Sequence, residues 1–234
     1  MLMARLSNTS PDPATAAAVA ARPSRAQRTR ENTRAKLIEA AERMIAGKGV
    51  EGTTISDITN AADVATGSFY NHFTSKTAIA EAVFAARANV LVRINDQIFL
   101  REPDPAQAIA YIQKVFLTRA VADPIWGWFV IHATSDLPQM SHAFSPAATA
   151  HIERGIAAGR FRTDSVAVAV RVILVALIAG MRDMLEGQAG RDRPARIVQS
   201  LLQMLGMPID EARTLADKRL PPYIARMFRG TDTA

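Results

Sequence analysis

The stretch TTISDITNAADVATGSFYNHFTSK, residues 53–76, contains two short helical patterns separated by a tight turn. Thr54 can cap the first helix while Asp57, three residues later, returns a hydrogen bond to it, which is the arrangement of a capping box. The inner face of this helix is predicted to consist of Ile58, Ala61 and Ala62. The stretch therefore begins as an isolated, well-capped helix of about two turns.

A second helix is predicted after a turn at Asp63 and Val64, from about Thr66 to Phe73. Phe69 and Phe73 are four residues apart and would pack against the core. The opposite face carries small or hydrogen-bonding side chains: Thr66, Gly67, Ser68, Asn71 and His72. Such a face lets a helix approach base edges in the DNA major groove, so the stretch predicts a helix-turn-helix with this second helix as its recognition helix.

Two residues near the end of the stretch are expected to bind the DNA backbone. The hydroxyl of Tyr70 can reach a phosphate, and Lys76 opens the next helix, where free N–H groups and the helix dipole also favour an anion. The complete set of predicted DNA-binding residues is Arg28, Arg30, Thr54, Ser56, Thr66, Gly67, Ser68, Tyr70, Asn71, His72 and Lys76.

A basic segment precedes the helix-turn-helix. Residues 22–36 contain six arginine or lysine residues and one glutamate, a net charge of +5 within a chain whose formal charge is +6. Such a segment would neutralise phosphates and make DNA binding depend strongly on salt. A solvated charge run is the alternative interpretation, and the neighbouring helix-turn-helix favours the phosphate-binding one.

The spacing of these motifs closely resembles that of the tetracycline-repressor (TetR) family of bacterial regulators. The shared features are Arg34, Ala40 and Ala41, the turn at Gly47 and Gly49, and the strings TTISDI, GSFYNHF and SK. The resemblance covers about Gln27 to Ala85. It implies a homodimer that binds a palindromic double-stranded DNA operator, usually as a repressor, and releases it on binding a small, often lipophilic effector molecule.

Two positions depart from the family pattern. Asp63 stands where the family usually has a turn glycine, and Ala65 stands where it tends to have a capping serine. We expect the turn to form because Asp tolerates the left-handed backbone better than most residues do. Since alanine cannot accept a hydrogen bond, Asp63 or Thr66 is expected to cap the recognition helix instead.

The chain is predicted to be all-α, with an N-terminal three-helix helix-turn-helix DNA-binding domain followed by a larger helical ligand-binding and dimerisation domain. No alternating strand pattern persists along its 234 residues, of which 49% are hydrophobic. The predicted divisions are a disordered tail over 1–24, the DNA-binding domain over 25–85, the ligand-binding and dimerisation domain over 86–220, and a C-terminal tail over 221–234.

The remaining helices follow from apolar periodicity and from proline and glycine breaks. They are predicted over Gln27–Ala46, Ser75–Ile94, Ala106–Ala122, Ile125–Ala133, Ala147–Ala158, Val166–Leu185, Arg196–Leu205 and Ile209–Lys218. The longest apolar run, residues 166–181, is interrupted by Arg171 and is shorter than the roughly 20 residues that span a bilayer. With no signal-peptide pattern in residues 14–21, we expect a cytoplasmic protein with no membrane partner.

Two apolar groups in the C-terminal half have a functional and a purely structural interpretation. The aromatic group forms either core alone or the wall of a ligand pocket, and comprises Tyr111, Phe116, Trp126, Trp128, Phe129, His132 and Phe144. The aliphatic group forms either internal core or a dimer interface, and comprises Val168, Val172, Val175, Ile178, Ile197 and Leu201. The family resemblance supports the functional interpretation of both groups but leaves the structural one equally open, and different faces of one helix can serve each purpose.

The sequence offers little for other chemistry. His132, His142 and His151 with Asp136 match no metal-binding or acid–base spacing, so no catalytic residue, metal or cofactor is predicted. The absence of cysteine excludes disulfides and cysteine nucleophiles. The competing classes are a helical ligand-binding or interaction module that no longer reads DNA and, less favoured, an enzyme.

Overall fold

The computed structural model describes residues 24–137, 145–188, 190 and 192–229. These residues form eleven α-helices and no strand, which confirms the all-α prediction. The helices are α1 Arg25–Lys48, α2 Ile55–Ala62, α3 Thr66–Phe69, α4 Lys76–Arg101, α5 Pro105–Ala122, α6 Pro124–Asp136, α7 Ser145–Ala157, α8 Val166–Leu185, α9 Arg193–Met204, α10 Ile209–Asp217 and α11 Pro222–Arg229.

The N-terminal helices α1, α2 and α3 pack together against the start of α4. Ser24 caps α1 and forms a capping box with Gln27, which fixes where the long basic helix begins. The shared core contains the fully buried Leu37, Ile45, Ile58, Phe69 and Ile79. Burial of these side chains holds the short helices α2 and α3, which are too short to be stable alone, in a fixed relation to α1.

An ion pair with a buried carboxylate connects the long helix α4 to α1. The Arg87 guanidinium donates two hydrogen bonds to the Glu42 carboxylate, at 2.8 and 2.7 Å, and Glu42 is only 4% exposed. This bidentate geometry satisfies both carboxylate oxygens and makes the pair directional. Since α4 also packs on α5, it connects the helix-turn-helix to the rest of the chain.

Helix α5 is the centre of the C-terminal part and contacts α4, α6, α7, α8, α9 and α10. Apolar side chains cover nearly its whole circumference, as expected of a helix surrounded by others. Asp104 caps its first turn and also pairs with Arg160, which reaches Glu211 of α10 at 2.6 Å. One arginine therefore joins the start of α5 to α10.

The structure differs from the predictions in which α2 residues are buried and in the C-terminal residues. The predicted bounds of α8 are observed, whereas Ala61, expected on the inner face of α2, is exposed and Thr59 is buried there instead. Residues 222–229 form α11 where we expected a tail, because Ile224 is buried and the Tyr223 hydroxyl donates to Glu102 at 3.3 Å. Most of the predicted N-terminal tail lies outside the described residues. The same holds for His142 and Phe144, which precede α7.

No helix in the described ranges has the length and apolar character needed to cross a bilayer.

Candidate nucleic-acid interface and ligand cavity

The predicted capping box opens the helix-turn-helix. Thr54 Oγ1 accepts from the backbone N–H of Asp57 at 3.1 Å, and the Asp57 carboxylate accepts from the Thr54 N–H at 2.8 Å. Lys48 donates to the same carboxylate at 2.7 Å. The hydrogen bonds from Lys48 and Thr54 hold the pKa of Asp57 well below its usual range, so this cap stays ionised and intact at neutral pH.

The turn between α2 and α3 is made without the family's glycine. Asp63 adopts the left-handed backbone, with φ of 53°, and ends α2. No side chain among the described residues caps α3, so the prediction that Asp63 or Thr66 would do so is wrong. Thr66 Oγ1 lies 3.3 Å from Thr59 Oγ1 instead, and thus points back to α2.

Helix α3 presents a polar surface beyond a buried phenylalanine pair. Phe69 and Phe73 are buried, whereas Thr66, Gly67 and Asn71 are exposed and Ser68 and His72 are half-buried. Tyr70 is 59% exposed and stands edge-on to Phe69. The regular helix ends at Phe69, not at Phe73 as predicted, and residues 70–72 continue as hydrogen-bonded turns.

A groove separates the polar surface of α3 from the N-terminal end of α1. Its walls are formed by Arg25, Ala26, Thr29, Arg30, Thr33, Ser68, Asn71 and His72. Arg30 donates to the backbone carbonyl of Asn71 at 3.4 Å, and the Arg34 guanidinium lies 5.2 Å from the centre of the Phe73 ring. These contacts place the positive charge of α1 directly beside α3.

The electrostatics of this groove affect His72. Its burial and the nearby guanidinium groups of Arg30 and Arg34 lower its pKa. The imidazole is therefore neutral at pH 7, with one nitrogen able to donate a hydrogen bond and the other able to accept one.

The other predicted DNA-binding residues surround this surface. Arg28 and Ser56 are exposed, and the hydroxyl of Thr54 is engaged in the capping box. The ammonium of Lys76 donates to the backbone carbonyl of Glu51 at 3.2 Å, so it must leave this partner, or share it, to reach a phosphate.

One carboxylate joins the helix-turn-helix to α6. Asp136 Oδ2 accepts from the backbone N–H of Val50 at 2.7 Å, in the turn that follows α1. Gly49 has φ of 77°, and a Cβ there would lie 2.9 Å from the same oxygen. The turn can approach α6 this closely because it contains glycine.

An apolar cavity of about 80 Å³ lies among α4, α5, α7 and α8. Its apolar wall includes Val92, Ile109, Ile112, Phe116, Ile152 and Leu177. Its polar lining residues are Asn95, Gln113 and His151. The His151 ring stacks on the Phe99 ring, with 3.9 Å between the ring centres. Burial lowers the pKa of His151, so the imidazole is neutral at pH 7.

Of the predicted pocket residues in the described ranges, Phe116 lines this cavity and the others do not. Tyr111 and Phe129 are buried in the core, and Trp126 stands edge-on to Phe116 at 5.6 Å, behind the cavity wall. Trp128 stacks on His132 at 5.8 Å, away from the cavity. The aromatic residues of α6 therefore lie outside this cavity, and Trp126 instead lines a smaller space of about 20 Å³ next to Leu91 and Phe228.

The predicted dimer residues differ in their exposure to solvent. Val168, Val172 and Val175 form an exposed apolar row on α8. Leu201 is 5% exposed and belongs to the core, so its expected place at an interface is wrong. Ile197 is half-buried and packs on α8 at Gly180. The contact is so close that a Cβ at Gly180 would lie 2.5 Å from the Cδ1 atom of Ile197. Ile178 is also half-buried.

Sequence reasoning missed the polar residues of the cavity. Gln113 lies on α5 between the apolar Ile109 and Phe116, four residues after the first and three before the second, and a glutamine on that apolar face is the signal that could have found it. His151 was considered only for a metal or acid–base role, which the sequence did not support, and no binding role was predicted for it. Within the described ranges, no three histidine, aspartate or glutamate side chains lie close enough to bind a metal ion together.

Two family matches decide which proteins this chain is related to. Residues 37–83 match the family described as bacterial regulatory proteins, tetR family, and residues 104–218 match the tetracyclin repressor-like C-terminal domain. The chain belongs to the TetR family. The first match contains α2, α3 and part of α1, and the second contains α5 to α10 and therefore every wall of the cavity except the one from α4.

Relatives agree with this assignment. The HTH-type transcriptional regulator TtgR of Pseudomonas putida is 43% identical over 60 residues, which are 24% of this TetR-family chain and 29% of TtgR. The chain therefore aligns with less than a third of this curated relative. The regulator RolR in complex with resorcinol has a TM-score of 0.68 and 29% identity, covering 83% of this chain and 97% of RolR.

A more distant structure shares the fold of this TetR-family chain. The regulator FadR of Bacillus subtilis, in complex with stearoyl-CoA, has a TM-score of 0.60 and 18% identity, covering 73% of this chain and 96% of FadR. RolR and FadR thus bind molecules as different as a single ring and a long acyl chain. The size and polarity of each cavity must select the ligand.

Proposed function

We propose that this chain is a ligand-responsive transcriptional regulator, a repressor, which binds a palindromic DNA operator as a homodimer and releases it on binding a small molecule. The observation that carries the proposal is the exposed polar face of α3 beside the arginine-rich end of α1. A face of small polar side chains next to clustered positive charge matches what a DNA major groove and its flanking phosphates require.

We assign different roles to the two sets of DNA-binding residues. Thr66, Gly67, Ser68 and Asn71 would lie against base edges, whereas Arg28, Arg30, Tyr70 and Lys76 would bind phosphates. Ser56 and the N-terminal end of α2 would stand over the backbone, with Thr54 acting through the capping box. His72, which lines the groove, would position Asn71.

The exposed row of Val168, Val172 and Val175 supports a dimer formed through α8. Three valines on one helix face are costly to leave in water, and a two-fold partner covers the same row with its own copy. Such a dimer would place its recognition helices about one DNA turn, or roughly 34 Å, apart.

The apolar cavity is the proposed effector site, and the existence of a resorcinol complex of RolR supports a small molecule as the effector. A physical connection from the cavity to the helix-turn-helix exists. Phe116 lines the cavity and contacts Trp126 of α6, and α6 ends at Asp136, which binds the turn after α1. A ligand that shifts α5 against α6 would change the relative position of the recognition helices and disfavour operator binding.

Fluorescence anisotropy tests the DNA-binding proposal. The full chain is titrated into labelled duplexes from the region upstream of its own gene and into random duplexes of equal length, at two salt concentrations. We expect about 10³-fold or more tighter binding to one upstream duplex, and a markedly lower affinity at the higher salt concentration. Equal, weak binding to all duplexes would instead support a module that does not read DNA.

A further inference from the structure

The wall of the cavity contains a buried hydrogen-bond acceptor with no partner. Gln113 is 3% exposed, and no donor in the described ranges reaches its Oε1 atom. Gln113 is one of the residues that line the cavity. A buried carbonyl oxygen without a hydrogen bond is unfavourable, so a bound molecule that donates one would be stabilised relative to an apolar molecule of the same shape.

A second polar group lines the same cavity. His151 belongs to α7, on another wall from Gln113 of α5, and its ring is held by stacking on Phe99. A neutral imidazole offers one donor and one acceptor, so it can bind a hydroxyl in either sense. Its ring and that of Phe116 also give the cavity two aromatic surfaces.

The size and charge of the cavity limit the ligand class. No lysine, arginine, aspartate or glutamate is among its described lining residues, so a charged group would be desolvated without an opposite charge. The cavity volume of about 80 Å³ suits a molecule of one ring better than a long acyl chain. A flat ring with one or two hydroxyl groups satisfies both limits.

We propose that the cavity binds a neutral monohydroxylated or dihydroxylated benzene ring, whose hydroxyl donates a hydrogen bond to Gln113 Oε1 while the imidazole of His151 binds the ring or a second hydroxyl. This inference rests on the proposed function in one respect, since the bound phenol would be the effector that releases the operator. Binding itself is independent of DNA.

Isothermal titration calorimetry on the full chain tests the site with phenol, resorcinol and toluene. Toluene has nearly the shape of phenol but no donor, so the wild-type chain should bind phenol about tenfold or more tightly than toluene. Resorcinol should bind at least as tightly as phenol. Equal affinities for phenol and toluene in the wild-type chain would overturn the proposal without any variant.

The Gln113→Leu variant assigns the preference to one atom. It should lose about tenfold in phenol affinity and keep or gain toluene affinity, because leucine has a similar volume without the acceptor. Gln107→Leu is the matched control: Gln107 is also on α5, 3% exposed and has an unpaired Oε1, but it does not line the cavity and its amide donates to Leu215. An unchanged phenol preference in Gln113→Leu, or an equal loss in Gln107→Leu, would contradict the assignment.

The anisotropy titration separates this inference from the proposed function. Phenol binding through Gln113 with no effect on operator affinity would leave the site in place and refute its role as effector site. Specific operator binding with no preference for phenol over toluene would refute the site and leave the DNA-binding proposal in place.

Discussion

The carboxylate of Asp136, the last residue of α6, accepts a hydrogen bond from the backbone N–H of Val50, 86 residues earlier in the chain, at 2.7 Å. The N–H of Glu51 lies 3.4 Å from the same oxygen. The turn that connects α1 to α2 is thereby fixed to a helix of the C-terminal part. Under the proposed function, a change in the position of α6 would act on the backbone that precedes α2 and α3.

Removal of this carboxylate should destabilise the chain. We expect Asp136→Ala to lower the free energy of unfolding by about 1.5–3 kcal/mol, because the Val50 N–H loses a charged acceptor. Urea denaturation measures the change. Asp183→Ala is the control, since Asp183 pairs with Arg193 at 3.8 Å on the surface and should contribute less than about 1 kcal/mol. Equal losses in both variants would show that the link carries no special stability.

The uncapped start of α3 offers a stabilising substitution. The backbone of Ala65, with φ of −61° and ψ of 138°, is extended as a capping residue requires, but its side chain cannot accept a hydrogen bond. Ala65→Ser should therefore increase the free energy of unfolding by about 0.5–2 kcal/mol in urea denaturation. Ala61→Ser, at an exposed position inside α2, should not. A serine at 65 that leaves stability unchanged would mean that α3 is fixed by Phe69 alone.

Burial of His151 predicts a pH-dependent stability. Its pKa is lowered chiefly by burial, with a further lowering from Arg154 and an opposing effect of Asp96. Between the folded pKa of His151 and the ordinary histidine value of about 6.5, the unfolded chain therefore binds more protons than the folded chain. The contribution of His151 to the free energy of unfolding is constant above about pH 6.5 and falls as the pH drops below that value.

Thermal melting at pH 7.5 and pH 5.5 tests this dependence. The wild-type Tm should fall at the lower pH, and His151→Gln should show a smaller fall because glutamine does not titrate. The pKa of His72 is also lowered, so His72 contributes to the loss of stability at low pH in the same direction. The Tm of His151→Gln should therefore still fall, but by less than that of the wild-type chain. An identical fall in wild type and variant would show that His151 does not contribute.

The valine row on α8 predicts a specific way to separate the subunits. A glutamate at Val172, which is 45% exposed, would place two like charges in the proposed two-fold interface, so Val172→Glu should yield monomers in light scattering after gel filtration. Val121→Glu is the matched control, because Val121 of α5 is 48% exposed and lies outside the row. A dimeric Val172→Glu variant would move the interface elsewhere.

The sequence predicted the bounds of α8 and α10 closely, but it ended α4 at Ile94, seven residues before the observed end at Arg101. The bounds of α8 follow from a long apolar run, interrupted by Arg171, that begins directly after Ser165, whose side chain caps the helix. In α3 the spacing of Phe69 and Phe73 correctly indicated two buried rings, but it did not reveal that regular helix ends at Phe69. Helix α11 was missed because its eight residues begin at a pair of prolines, and its contact with Glu102 is tertiary.

The ligand cavity was harder to predict than the polar surface of α3. Outward polar residues of a recognition helix follow from helix periodicity alone, as at Thr66 and Asn71. The position of a cavity depends on which helices pack together. Here Trp126 of α6 packs against Phe116 behind the cavity wall, and His151 of α7 lines the cavity. Composition therefore indicated an aromatic-rich interior without locating the space within it.

Replacement of Gly67 tests most directly whether α3 reads base edges. A Cβ at Gly67 meets no atom of the fold within 4 Å, so Gly67→Leu should fold normally while its side chain obstructs the approach to DNA. Gly47 has equally open space, and Gly47→Leu on α1 is the matched control.

We expect the affinity of Gly67→Leu for the operator duplex, measured by fluorescence anisotropy, to fall by about tenfold or more, since lost base contacts cost about 1–3 kcal/mol each. Gly47→Leu should bind as the wild-type chain does. Wild-type operator affinity in a normally melting Gly67→Leu variant would contradict the assignment of α3 as the recognition helix.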